Sequence, residues 1–261
     1  MNEKFLIAAH TDIGTTKKIN QDSLYAEEAD TDIGAILFAA VCDGMGGLSE
    51  GEKASAHLVH ALSDWFENTM AATICRDGKA PTFDQFRQEM DYILRTENTA
   101  ISAATKEASG TTVTALMLAA GVYYTVNVGD SRIYKLGDTM IQLTRDQTVV
   151  QQDLDAGRIT REEAENHPQR SVLLQCVGAS DVIVPDYSEG TYAAGDAFLL
   201  CSDGFRHILP SEEIERGVKR NMETEDEMKL RLVEITEKSK EGGEKDNISA
   251  LLIKITEGGR F

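Results

Sequence analysis

Residues 36–42 read ILFAAVC, seven apolar residues in a row, and the run stops abruptly on Asp43, Gly44, Met45, Gly46 and Gly47. A continuous apolar stretch of this length reads as a strand buried inside a fold. A chain of 261 residues can cover such a strand, because at that size roughly three quarters of the unfolded surface is removed from water. With 41% hydrophobic and 27% charged residues the balance is that of an ordinary globular protein.

Further strand-like stretches follow at 111–120, 122–129, 131–136, 139–144, 196–202 and 247–255, with Gly137 and Asp138 supplying a tight hairpin turn. Helices are announced by caps and spacing. Ser49 with Glu52 forms a capping box ahead of Ala54, Leu58, Leu62 and Trp65. Phe83, Phe86, Met90, Ile93, Glu97 and Ile101 line a second, longer helix. Thr224 with Glu227 caps a third, carrying Met228, Leu232 and Ile235 on one face and ended by Gly242 and Gly243. Between Gln147 and Ser180 short helical pieces, one with Thr160 and Glu163 as a capping box, predict a small helical insertion between two strands. No repeat or low-complexity tract divides the chain, so residues 1–261 are expected to form one domain, with 147–180 inserted in it. Strands in meanders and helices in separate blocks predict an α+β layered fold rather than alternating βαβ units.

The net charge of −18, from 44 acidic and 26 basic residues, repels nucleic acid and anionic membrane alike, so neither is expected as a partner. Four scattered cysteines without a C-x-x-C pair point to reduced thiols and a cytoplasmic setting. The five apolar residues before His10 are too few for a signal-peptide core, and the apolar run interrupted by Gly121 is too short for a membrane span.

The ending on Asp43 recurs. Asp130 follows the run "VYYTVNVG", Asp203 follows "DAFLLCS", and Asp246 immediately precedes "NISALLIKI". Turn chemistry accounts for any one of these, since Asp and Gly favour tight turns. Four together suggest that the strands deliver carboxylates to one end of the fold. If Asp43, Asp203 and Asp246 meet, each pair about 4 Å apart repels by roughly 4 kcal/mol at an effective dielectric of about 20. Cations are then required, and an all-oxygen set suits Mg²⁺ or Mn²⁺ rather than zinc. Two such ions leave one net positive charge over three carboxylates, which favours a phosphate dianion, and a water bridging the ions is a ready nucleophile. The glycines after Asp43 let the backbone approach the ions, so that a carbonyl can join the ligands.

These residues resemble a known family. "GTTKKINQDS", "VCDGMGG", "SGTTVTALML", "VNVGDSRIYKL", "LTRDQT", "LLCSDGF" and "KDNISALL" stand in the order and spacing of the metal-dependent protein serine/threonine phosphatases of type 2C, the PPM family. The resemblance runs from about His10 to Ile255 and is weakest between Phe66 and Ala108. It implies a four-layer α-β-β-α sandwich of two antiparallel sheets flanked by helices, with residues 147–180 as a flap. By the same resemblance Asp43 bridges two Mn²⁺ or Mg²⁺ ions, Gly44 gives a backbone carbonyl, and Asp203 and Asp246 complete the direct ligands. Asp130 with Asp203 matches a third metal site of bacterial members, Asp22 an acidic residue holding metal-bound waters, and Asn247 a residue that orients Asp246. Three positions depart from the pattern. Lys17 stands where an arginine clasps the substrate phosphate, and a point charge in place of a bidentate fork predicts weaker phosphate binding without loss of chemistry. Gln21 stands where glutamate is common. Met45 replaces a histidine general acid of many eukaryotic members and marks the chain as bacterial-type.

The function expected is hydrolysis of phosphoserine and phosphothreonine in proteins, the products of a serine/threonine kinase. The rival expectation is a regulatory module that keeps the fold and binds a partner, motivated by Lys17 and Gln21. A metal nuclease is disfavoured by the charge. Among other candidates, His57 and His60 at i, i+3 lack an acidic partner at fitting spacing, His207, four residues past Asp203, is within reach of the site but is expected at the surface, and His167–Pro168 reads as a turn. "ADTDIG" reads as a loop, no phosphate-binding G-x-x-x-x-G-K-[ST] occurs, and Cys42 and Cys201 read as small core residues.

Overall fold

The computed structural model describes residues 3–46, 50–105, 109–165, 167–220 and 222–257. Its strands are β1 (Glu3–Asp12), β2 (Asp22–Thr31), β3 (Gly34–Gly46), β4 (Ser109–Thr111), β5 (Val113–Ala119), β6 (Val122–Val128), β7 (Arg132–Leu136), β8 (Met140–Gln142), β9 (Asp186–Thr191), β10 (Ala197–Cys201) and β11 (Ile248–Glu257). They form two antiparallel sheets, ordered β1-β11-β10-β7-β8 and β2-β3-β5-β6-β9, with β4 paired to β3.

The apolar run at residues 36–42 lies in β3, and its lack of alternation has a simple cause. Side chains of a strand alternate between faces, and both faces of β3 are covered. Leu37, Ala39 and Val41 meet Phe198, Leu200, Leu251 and Ile253 of the facing sheet. Ile36, Phe38, Ala40 and Cys42 face the helices α1 (Gly51–Trp65) and α3 (Phe83–Thr105), with Leu58, Leu62, Phe86 and Leu94 against them. On the outer side of the second sheet, Ala8, Leu199, Cys201 and Leu252 pack under α7 (Ser211–Val218) and α8 (Glu225–Glu241) through Ile214, Met228, Leu232 and Ile235. The four layers are therefore helix, sheet, sheet and helix, and Cys42 and Cys201 are core residues as expected.

The helix begun at Gly51 runs further than the spacing predicts. After Trp65 a π-helical turn, Phe66–Met70, leads into α2 (Ala71–Asp77), which Gly78 ends at φ 62°. The wider turn buries both Phe66 and Met70 and throws the apolar spacing out of register, which hides the continuation. Ser49, the expected cap of α1, lies outside the described residues. At α8 the expected cap is present: the Glu227 N–H donates to Thr224 Oγ1 at 3.3 Å.

Three strands that apolar spacing leaves out, β1, β2 and β9, are all at sheet edges. β2 carries Asp22, Glu27, Glu28 and Asp30 and is nowhere fully buried, as suits an edge protected by charge. Asp30 and Thr31, expected in a loop, are instead the end of β2, and Asp32–Ile33 make the turn into Gly34. Between β8 and β9 lie α4 (Val149–Asp155) and α5 (Arg161–Glu165). The stretch that follows them returns to the body of the fold, where Thr111 and Val177 exchange backbone hydrogen bonds of 2.8 and 2.9 Å. Among the described residues no helix is long and apolar enough to cross a membrane.

Phe38 is fully buried and stands 5.2 Å from the Trp65 ring and 5.7 Å from that of Phe66. Phe38→Ala is expected to destabilise the protein by about 3–5 kcal/mol in urea unfolding. Tyr92→Ala, at a side chain 74% exposed, should stay within about 0.5 kcal/mol of wild type.

Candidate metal centre

The sheets bring the expected aspartates to one end of the sandwich. β2 and β3 pair Asp22 opposite Asp43. β10 runs antiparallel to β11, pairing Cys201 with Ala250, so Asp203 just beyond β10 lies beside Asp246 just before β11. Asp130 sits in the connection from β6 to β7. Asp43, Asp130, Asp203 and Asp246 line one cleft of about 180 Å³ together with Lys17, Gln21, Gly44 and Met45, and Ser171 and Leu173 from the segment after α5 complete its wall.

The main chain of Asp43 is fastened to its neighbours. Its N–H donates to Thr112 Oγ1 at 3.0 Å, and its carbonyl accepts from Thr112 N–H at 2.8 Å and Thr111 Oγ1 at 3.0 Å. Gly44 and Gly204 are not left-handed turn residues. They are there because a Cβ on Gly44 would stand 2.2 Å from the Gly51 carbonyl oxygen, and one on Gly204 2.2 Å from that of Asn247. The turn explanation of these Asp-Gly pairs therefore fails, and close backbone approach replaces it.

The electrostatics of this end are unfavourable without further positive charge. Burial, then the charges of Asp22, Asp203, Asp130 and Asp246, push the Asp43 carboxyl well above its ordinary range. Burial and Asp203 push Asp130 up to about 7, with Arg206 pulling the other way. Burial also raises Asp22 to about 6, opposed by the hydrogen bond that Ser202 Oγ donates to its Oδ2 at 3.0 Å. Asp203 Oδ1 is buried with no hydrogen-bond partner among the described residues. A buried carboxylate oxygen without a donor is costly, and a cation facing the cleft satisfies it. The residues thus fit hard divalent ions. No group of three or more His, Cys, Asp or Glu side chains among the described residues is drawn together tightly enough to hold an ion unaided. The carboxylates stand around the cleft instead, which suits Mg²⁺ or Mn²⁺ retaining several waters.

Around the carboxylates lies a second ring of contacts. Arg132 forks onto Asp146 with two hydrogen bonds of 2.7 Å. Arg206 Nη2 reaches Asp146 Oδ2 at 3.3 Å and donates to the Asp130 carbonyl at 2.7 Å. The "GDSR" and "LTRDQT" motifs meet in this network, and Arg206, three residues beyond Asp203, was not singled out in the sequence. At the mouth of the cleft, Lys17 Nζ lies 2.7 Å from Asp246 Oδ1. Burial opposes the lysine charge, but the Asp246 hydrogen bond with Asp43 and Asp203 outweighs it and raises its pKa.

Two expectations are corrected. The Asn247 side chain does not orient Asp246: its Nδ2 donates to the Ile13 and Ile19 carbonyls at 2.9 and 3.2 Å, and its Oδ1 accepts from Gln21 N–H at 2.9 Å. Only its backbone N–H reaches Asp246 Oδ1, at 2.8 Å. His207 is not a surface residue, for its side chain is 13% exposed and lies between Asp203 and Glu244. The spacing of four from Asp203 already puts His207 within reach of the site, and the same spacing argument, one turn around α6 (Asp203–Arg206), would have found Arg206. His57 does find an acid, Glu97 on α3 at 2.7 Å, but in a half-exposed pair away from the cleft.

Asp146→Asn breaks a buried fork and is expected to lower stability by about 3–5 kcal/mol at neutral pH. Burial works against the Asp146 charge, yet Arg206 and Arg132 hold its pKa below the ordinary 3.8. The contribution is therefore complete above that value and lost as pH falls through the depressed pKa. The gap between variant and wild type in urea unfolding should stay level at higher pH and narrow in acid.

A family model described as Protein phosphatase 2C matches residues 14–244. The serine/threonine protein phosphatase PstP of Mycobacterium tuberculosis is 34% identical over 256 residues, covering 96% of this chain but 45% of that protein. The chain thus spans about half the length of that relative. The serine/threonine phosphatase stp of Listeria innocua is 34% identical over 218 residues, 82% of each protein. A solved catalytic domain of PstP in complex with two manganese ions superposes with a TM-score of 0.77 at 30% identity, covering 98% of this chain and all of that one. With the first loop, the cleft aspartates Asp43, Asp130 and Asp203 and the sandwich all inside these matches, the chain belongs to the protein phosphatase 2C family.

Proposed function

We propose that this chain is a Mn²⁺- or Mg²⁺-dependent phosphatase that removes phosphate from phosphoserine and phosphothreonine in proteins. The observation that carries this reading is the cleft itself, in which Asp43, Asp130, Asp203 and Asp246 face one space with a lysine at its mouth. The PstP catalytic domain that it resembles was solved with two manganese ions, which supports the choice of cation. The three expected direct carboxylates are all present in one cleft, which argues against a regulatory module that has lost its chemistry.

When bound, two divalent ions supply Lewis-acid contacts for phosphoryl oxygens and make water a nucleophile near neutral pH. Asp43, Asp203 and Asp246 would hold them with the Gly44 carbonyl, and Asp130 would join Asp203 for a third. Asp22 and Gln21 stand behind to orient water. Lys17 holds the substrate phosphate as a point charge and places the phosphorus for in-line attack. Met45 lines the cleft and has no proton to give the leaving oxygen. Hydrolysis is taken to be direct, by in-line attack of water without a covalent phosphoenzyme. Residues 147–180 act as a flap within a single catalytic domain, since Ser171 and Leu173 reach the cleft wall. The substrates are products of a protein kinase in the cytoplasm, where the four free cysteines stay reduced.

Hydrolysis of a phosphothreonine peptide after EDTA treatment should require added Mn²⁺, and Asp43→Asn should lose more than the roughly 100-fold upper range of changes around a ligand. Undiminished hydrolysis in both cases would sink the reading. For Lys17→Ala, loss of a charge-assisted bond to phosphate should raise KM by about tenfold or more, with kcat the lesser change. Lys17→Arg should lower KM below that of wild type.

A further inference from the structure

Among the described residues the Asp203 carboxylate meets a side chain through one oxygen. Its Oδ2 lies 3.3 Å from His207 Nε2, while its Oδ1 is buried without a partner among the described residues. His207 follows one turn later, and its backbone N–H donates to the Asp203 carbonyl at 3.0 Å, so ring and carboxylate are set by the same turn. The other ring nitrogen, Nδ1, faces Glu244 Oε2 at 3.6 Å. Glu244 in turn uses Oε1 to accept the N–H groups of Lys245 at 2.7 Å and Asp246 at 2.9 Å. All three side chains are largely withdrawn from solvent, at 11%, 13% and 8% for Asp203, His207 and Glu244. A continuous bridge therefore joins the carboxylate after β10 to the backbone of the carboxylate before β11.

We propose that His207, braced by Glu244, is a positioning residue of the metal centre: its contact with Oδ2 restrains the Asp203 carboxylate and ties its placement to that of Asp246. The proposal rests on the assignment of Asp203 and Asp246 as ligands made above. A carboxylate with both oxygens free can rotate or take an ion through both. A ring nitrogen held 3.3 Å from one oxygen restrains that freedom, and partners of this kind are worth roughly 10–100-fold in metal affinity.

The test is Mn²⁺ titration calorimetry on the full chain after removal of metal, with thermal unfolding of the same metal-free samples. His207→Ala should weaken Mn²⁺ binding by about 10–100-fold. His207→Gln, whose amide nitrogen can take the place of Nε2, should recover most of that affinity. His207→Asn, one carbon shorter and unable to reach Asp203 from the same backbone, should not. If His207→Ala is too unstable to study, the Gln and Asn pair carries the test alone. Unchanged Mn²⁺ affinity in His207→Ala, or in Asn as much as in Gln, would overturn the proposal. So would losses of affinity that simply follow losses of unfolding temperature across the three variants, the result expected of a ring that only fills space. Asp43→Asn serves as the control: if it binds Mn²⁺ as wild type does, the metal-centre reading fails and the proposal with it. If it loses Mn²⁺ while His207→Ala keeps it, the positioning role alone fails.

Discussion

Because successive side chains of a strand point to opposite sides, β3 presents Ile36, Phe38, Ala40 and Cys42 to one layer and Leu37, Ala39 and Val41 to another, all at 0% exposure. A strand apolar on both faces needs a cover on each, and a second sheet and a helical layer are what this chain provides. The second sheet has the same need, met by α7 and α8. Stacking two antiparallel sheets in this way also places the ends of β3, β10 and β11 near one another. The aspartates occupy those ends because polar groups can stand only where the apolar runs stop. Core and cleft are thus two results of one pattern of burial.

Charge is handled differently at two depths. Asp146 is buried but has its own cations, Arg132 and Arg206, and its pKa falls. Asp130 is buried and Asp43 and Asp22 are partly so, all among like charges, and theirs rise. Arg206 belongs to both sets, through Asp146 and through the Asp130 carbonyl. The protein therefore neutralises the outer ring with its own side chains and leaves the inner ring to be neutralised from solution. That division is the physical basis for reading the cleft as a place for divalent cations.

Central strands were legible because burial on both faces makes them continuous apolar runs, as in β3, β5 and β10. The edge strands β1, β2 and β9 were not, since a half-exposed strand such as β2 needs no such run and carries Asp22, Glu27 and Glu28 instead. The continuation of α1 was hidden by a π-helical turn at Phe66–Met70, where spacing and burial part company. In the cleft, Asp43, Asp130, Asp203 and Asp246 could be read from their places at strand ends. Arg206 and His207 were marked only by their spacing from Asp203, because the four-residue helix there is too short to show an apolar period. The work of the Asn247 side chain could not be read, since it lies in partners more than 220 residues distant in sequence, the carbonyls of Ile13 and Ile19.

The loop that carries Lys17 hangs on the loop that carries Asp246. Thr15 Oγ1 donates to the Glu244 carbonyl at 2.6 Å and Thr16 Oγ1 to that of Lys245 at 2.8 Å, and β1 pairs along its length with β11. Contacts of such sequence separation are closed late, after the loop entropy between them has been met. The cleft therefore closes only when β1 and β11, far apart in the sequence, pair in the same sheet. The phosphate-facing lysine and the last of the cleft aspartates are set by one another, not by their own neighbours in sequence alone.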